Sequence, residues 1–307
     1  MLCNYKYRHY LCVAKYKRRV IMKSIFKVLA LGCAAVALMT GCKKDPVQSG
    51  KVLLMQYQFD GNEDFSSYNK ATFMYDYNKE LSLQTVKKGL VSSTTIFDYG
   101  ASSSGSKIID VSHVTDPDDI SSRTEWYHFQ TGKKSEKYRM LWAWYFQKDN
   151  DNKLDIDFKY DKKGHLTEFS ETLGEAKDVY YFVWSDGELV KAYSADESIV
   201  YEYTPSATEY AGALPVSAYP SFLPEPILAI LGHYGTAPKH MPQTVKYTQY
   251  KENGKPLDKQ EHTYTYTVND KLLASYKDHV VTTVYLGDIG INNESDSYGK
   301  LDWVNTD

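Results

Sequence analysis

The sequence predicts an all-β fold, an antiparallel meander of hairpins with one short buried helix, and three observations support this. Past residue 51, aromatic, Thr and β-branched residues alternate with polar ones at period two, and amphipathic helical periods of ten or more residues are lacking. Tyrosine is abundant, at 28 residues with only four of them before residue 17, and Tyr and Thr favour strands with one packed and one wet face. Four segments share one pattern of strand, polar turn and return strand: 73–81, 158–166, 182–189 and 264–272.

Each of these segments reads as a hairpin. Gly164 and the pair Asp186-Gly187 supply the positive φ of a tight turn, and the Leu that follows starts the return strand on the core side. Further strands are expected at 52–59, 94–99, 125–130, 140–147, 198–203, 244–250 and 280–286. The rhythm breaks at 214–242, where six prolines surround Ile227-Leu228-Ala229-Ile230-Leu231. Pro226 in a first turn and Gly232 past the end bracket a helix at 225–231, apolar nearly all round and so expected to plug one end or face of the sheet. The expected architecture is a curved sheet, half-barrel or sandwich-like, in a single domain over 52–307.

The front of the chain carries an address. The apolar run from Val28 to Met39 is too short to span a bilayer, follows Lys23 and Lys27, and ends in Leu38-Met39-Thr40-Gly41-Cys42. That ending resembles the lipobox of bacterial lipoproteins, which implies cleavage between Gly41 and Cys42 and fatty acylation, palmitate included, of Cys42. Met22 is the better start, with 1–21 an upstream extension, 22–41 the signal peptide and 42–51 a flexible tether. Lys at position 43, rather than Asp, points to the outer membrane. All four cysteines lie within the first 42 residues, so nothing beyond Cys42 can form a disulfide or thiolate metal site. Eight of the 36 Lys and Arg, and none of the 39 Asp and Glu, precede Cys42, which moves the formal charge from −3 to about −11 for the remainder. A surface that acidic repels phosphate backbones and argues against nucleic-acid binding.

The aromatic-x-Tyr-Asp-x-x-Gly-x-Leu pattern is similar to the YD repeat. Combined with the lipobox, Lys43-Lys44-Asp45 and Leu231-Gly232-His233-Tyr234-Gly235, it resembles a family of uncharacterised β-rich bacterial lipoproteins classified as a domain of unknown function. The resemblance spans about residues 70 to 285. It implies an all-β fold and export, and brings no catalytic residues.

Enzyme motifs are sparse. Histidines 113, 128, 165, 233, 240, 262 and 279 form neither His-x-His nor His-x-x-x-His, although His233 and His240 flank the insert and could converge. There is no Gly-x-Ser-x-Gly elbow and no phosphate-binding glycine loop. Asp149, Asp151 and Asp155 place oxygens at alternate positions, as a Ca2+ loop does, but the turn glycine and distant Glu of such loops are missing and Lys153 intrudes; a polar hairpin loop explains the same residues. Aromatics are the better recognition candidates. Trp142, Trp144, Tyr138 and Phe146 share one strand face. Burial, the commoner fate of large aromatics, would make that face core; exposure would make it a stacking platform for a glycan or peptide. The expected function is that of a non-enzymatic envelope lipoprotein that binds a ligand or partner, with a hydrolase built from dispersed residues and a structural spacer as the alternatives.

Overall fold

The computed structural model describes residues 52–306 except 67–68, 89–90, 103–104, 117–121, 134–138, 149 and 287–288. Among the described residues sixteen strands run in chain order. The first eight are β1 (Val52–Asp60), β2 (Lys70–Tyr75), β3 (Leu81–Lys88), β4 (Val91–Ala101), β5 (Ser106–Val114), β6 (Arg123–Lys133), β7 (Met140–Gln147) and β8 (Asn150–Tyr160). They continue as β9 (Leu166–Leu173), β10 (Ala176–Ser185), β11 (Glu188–Ser194), β12 (Ile199–Glu209), β13 (His240–Tyr250), β14 (Pro256–Asn269), β15 (Leu272–Leu286) and β16 (Ile289–Asn305). Every neighbour pairs antiparallel, and β16 pairs with β1 from Asn305 opposite Val52 to Tyr298 opposite Asp60. The sheet is therefore a closed barrel. This corrects the half-barrel and sandwich expectation: closure leaves no strand edge for a second sheet or a partner chain to extend.

All four patterned segments are hairpins, β2–β3, β8–β9, β10–β11 and β14–β15. Asp186 and Gly187 take φ of 51° and 85°, and Asp270 and Lys271 take 49° and 67°, the two positive values that a two-residue type I′ turn needs. Segment 73–81 has no turn glycine, and Lys79 adopts φ 64° instead.

Period-two alternation sorts the side chains into a packed lumen and a wet outer wall. Across β4 to β8 the lumenal row is Tyr99, Ile109, Phe129, Ala143 and Ile156, adjacent in register. Phe129 and Ile109 are wholly buried. The outer rows across β13 to β16 include Lys246, Glu261, Val281, Glu294 and then Thr244, Thr263, His279, Asp296. Barrels that cross membranes have the opposite arrangement, with an apolar outer band about 25 Å tall around a polar interior. No helix among the described residues is long and apolar enough to cross a membrane, which leaves the strands to be judged on their own faces.

Residues 210–239, between β12 and β13, fill the lumen. They contain a 3-10 turn at Val216–Ala218 and the helix α1 (Pro226–Ile230), where the sequence predicts a helix. Leu228 and Ala218 are buried with the barrel core. Backbone bonds stitch the insert to the wall: Leu273 N donates to Ala211 O (2.8 Å), Met140 N to His233 O (2.9 Å), Thr236 N to Gly164 O (2.8 Å) and Lys239 N to Gly187 O (3.1 Å). Gly235, at φ 95°, is required at one of these joints, because a Cβ there would collide with the carbonyl of Gly164.

Candidate functional site

Three places have the makings of a site: polar pairs inside the lumen, two cavities beside the insert, and an aromatic patch on the outer wall.

Inside, Asp278, almost fully buried, accepts hydrogen bonds from Ser217 Oγ (2.8 Å) and His262 Nδ1 (3.0 Å). The three residue types are those of a nucleophilic triad, but the order is wrong. The carboxylate sits between serine and histidine, so the hydroxyl proton is held by Asp278, and among the described residues no imidazole is placed to remove it. What the arrangement does is pin the 3-10 turn of the insert to β14 and β15. A second pin joins Glu225 Oε1 to His113 Nε2 at 2.7 Å, with His113 Nδ1 3.0 Å from Thr95 Oγ1. Burial is the largest single influence and opposes charge on His113, but the Glu225 bond and charge, with the Glu125 charge, together outweigh it and raise the histidine's pKa above its ordinary value. Near the same wall, burial and the neighbouring Asp178 push Glu171 up to about 7. His233 and His240 serve different places: His240 Nδ1 bonds Glu188 Oε1 (2.7 Å), while His233 lines a cavity beside β1 to β3. Among the described residues no group of three or more His, Cys, Asp or Glu is placed to hold a metal ion. Asp149 and the side chain of Asp151 lie outside the described residues, and Asp155 pairs with Lys153 at 2.7 Å.

One cavity, about 80 Å³, lies between the insert and β9 to β11, with Phe182, Trp184, Leu214 and Tyr219 in its walls. The other, about 310 Å³, is bounded by Tyr75, Tyr99, Lys107, Leu231 and Trp303. The larger cavity also holds the Lys107–Glu80 ion pair and His233.

The outer aromatic patch is the most developed of the three. Trp126 and His128 on β6 face outward, as do Trp142, Trp144 and Phe146 on β7. Trp126 stacks on Phe146 (centroids 4.8 Å, 23°), His128 stacks on Trp144 (5.1 Å, 14°) and tilts against Trp142 (5.7 Å), and Trp144 meets Phe146 edge-on (6.4 Å). His128 Nδ1 lies 2.6 Å from Asp110 Oδ1. Trp142 is 37% exposed. The core fate expected for large aromatics is therefore not what this strand shows: β7 turns Met140 and Ala143 into the lumen and its indoles onto the outer wall, Trp142 exposed and Trp144 half-buried. Tyr138, the fourth member of the expected strip, lies outside the described residues. Sequence reasoning missed Trp126 and His128 as partners of the strip, since only the register of β6 against β7 brings them alongside. Trp184 is different: its Nε1 donates to Leu166 O (2.7 Å) and its ring stacks on buried His165 (4.4 Å), a structural role in the β8–β9 and β10–β11 corner.

Carboxylates frame the patch. In register, one outer row reads Asp98, Asp110, His128, Trp144, Asp155, and the next reads Ile108, Gln130, Trp142, Asp157. Rigid aromatic area beside oxygen acceptors can stack on a ligand and hydrogen-bond to its rim.

The sequence matches no protein-family model and none of the curated proteins. Among solved structures the chain is similar to a porin-like protein from Bacteroides uniformis, at 13% identity and a TM-score of 0.53, over 81% of this chain and 96% of that one. A porin-like protein from Bacteroides vulgatus matches at 11% identity and a TM-score of 0.47, over 81% and 97%. At such identities the first of these likenesses establishes the fold alone, so this chain has the closed antiparallel β-barrel fold of a protein described as porin-like.

Proposed function

We propose that this protein is a cell-envelope lipoprotein, held at the outer membrane by a lipid on Cys42, whose plugged barrel is a non-catalytic scaffold for ligand binding on its outer wall. The observation that carries this reading is the outward-facing ring cluster of Trp126, His128, Trp142, Trp144 and Phe146 among Asp110, Asp155 and Asp157, with Trp142 exposed and the other four rings half-buried. A closed barrel can be stabilised by small cross-strand pairs, so two indoles side by side on its outer wall are not needed to hold it. A conducting pore fits poorly, because the lumen holds the insert and the outer rows of β13 to β16 carry Lys246, Glu261, Glu294 and Asp296. The barrel would then stand in water beside the membrane, with the lipid as its membrane contact.

Glycan and peptide arrays probed with the full chain and with its Trp142→Ala/Trp144→Ala variant test the reading. It predicts a class of spots retained by the native protein and lost by the variant. Identical retention by both proteins would refute it.

A further inference from the structure

The outer patch repeats one unit. Trp144 lies opposite Asp155 and Trp142 opposite Asp157, so β7 and β8 present two indole–carboxylate pairs spaced two residues apart. Along a strand that spacing is about 6.8 Å, which is also the distance between same-side residues of an extended peptide. On the other flank Asp98 stands directly opposite Asp110 across β4 and β5. Like charges so placed are unfavourable for the sheet, and a cation arriving there would relieve the repulsion.

The two outer rows that hold these pairs contain four carboxylates across β4 to β8 and no Lys or Arg. Lys153 is bonded to Asp155 at 2.7 Å with both side chains about half exposed, an arrangement easily exchanged. Lys159 lies near Asp157 while bonded to Glu168, and His128 holds Asp110. The same face already shows what it accepts: the Arg123 guanidinium sits over the Trp126 ring, 5.3 Å from its centroid. Beyond Cys42 the chain as a whole is acidic, as counted above, and so attracts a basic partner from a distance.

Resting on the binding function proposed above, we infer that the occupant of the outer patch is a basic polypeptide segment in extended conformation, with Lys or Arg at alternate positions. One side chain lies over Trp144 against Asp155, and the next lies over Trp142 against Asp157. Cation–π attraction and a charge-assisted hydrogen bond act on the same side chain at each position.

Isothermal titration of the full chain in detergent tests this with three probes: a twelve-residue peptide alternating Lys and Gly, its Glu-Gly counterpart, and a neutral β-1,4-linked hexasaccharide. The expected result is binding of the Lys-Gly peptide alone. Affinity should fall at least tenfold in Trp142→Ala/Trp144→Ala, and at least tenfold in Asp155→Asn/Asp157→Asn, a pair that preserves shape and so separates recognition from folding. Tenfold corresponds to about 1.4 kcal/mol. Lys-Gly binding insensitive to the tryptophans would overturn the inference in favour of diffuse electrostatics. Hexasaccharide binding that needs the tryptophans and ignores Asp155 and Asp157 would overturn it while leaving the proposed function intact. Tryptophan-independent behaviour with every probe would remove both.

Discussion

Glu225 Oε1 lies 2.7 Å from His113 Nε2 and so joins the insert to β5 across the lumen. Glu225 holds this position at φ 44°, a left-handed conformation that costs a non-glycine residue of order 1–3 kcal/mol and persists because the surroundings fix it. The side chain that begins α1 is thus also the one that pins the insert.

The pair gives the fold a pH dependence. His113 gains a proton more readily folded than unfolded, because the bond to Glu225 and the charges of Glu225 and Glu125 together outweigh the burial that opposes charge. Its stabilisation is therefore complete below the unfolded histidine pKa of about 6.5 and is lost as pH rises through the higher folded value. Thermal melts of native protein and Glu225→Gln should differ most at pH 5.5 and converge at alkaline pH. Equal differences at both ends would mean that His113 does not titrate with the fold.

Glu171 acts in the opposite sense. Burial and Asp178 raise it to about 7, so the folded state holds a proton that the unfolded state releases, and the charged form costs stability above the unfolded pKa of about 4.3. Glu171→Gln should raise the melting temperature at pH 8 and leave it unchanged at pH 4. A lower melting temperature at pH 8 would refute the assignment.

Lumen and wall should respond differently to truncation. Phe129→Ala opens a hole in a fully buried row and is expected to cost about 3–5 kcal/mol. Trp142→Ala, on the wall, should cost under about 1 kcal/mol. Urea unfolding measures both, and comparable losses would show that the β7 indoles belong to the core.

Gly235→Ala should loosen the insert without opening the barrel. The added Cβ meets the Gly164 carbonyl, and the φ of 95° is hard for alanine. Hydrogen exchange should speed up at Thr236 N, which bonds Gly164 O, and hardly change at Phe129. Unchanged exchange at Thr236 would contradict the stitching of the insert to the β8–β9 turn.

Much of this was legible in the sequence, for reasons that can be located. The hairpin turns announced themselves through Asp186-Gly187 and Gly164, whose positive φ values are local necessities. The helix was visible because Pro226 and Gly232 punctuate an apolar run. Closure was not visible. It depends on β16, whose Asn292-Asn293-Glu294-Ser295-Asp296-Ser297 stretch has little strand propensity, and on Val52 meeting Asn305 from the far end of the chain. β5 was missed as well, its Ile108-Ile109 pair breaking strict alternation. The direction of the Trp142 and Trp144 face follows from which side of β7 the insert fills, and no local pattern encodes that.

The five tryptophans allow the central claim to be tested in one spectrum. Trp184 lines the smaller cavity and Trp303 the larger, whereas Trp126, Trp142 and Trp144 lie on the outer wall. Fluorine NMR of protein carrying 5-fluorotryptophan, assigned by single Trp→Phe variants and titrated with a ligand retained on the arrays, reports each position separately. Binding on the wall predicts that the Trp142 and Trp144 resonances shift with saturation while Trp184 and Trp303 stay fixed; shifts confined to Trp184 or Trp303 would contradict it and place the ligand beside the insert.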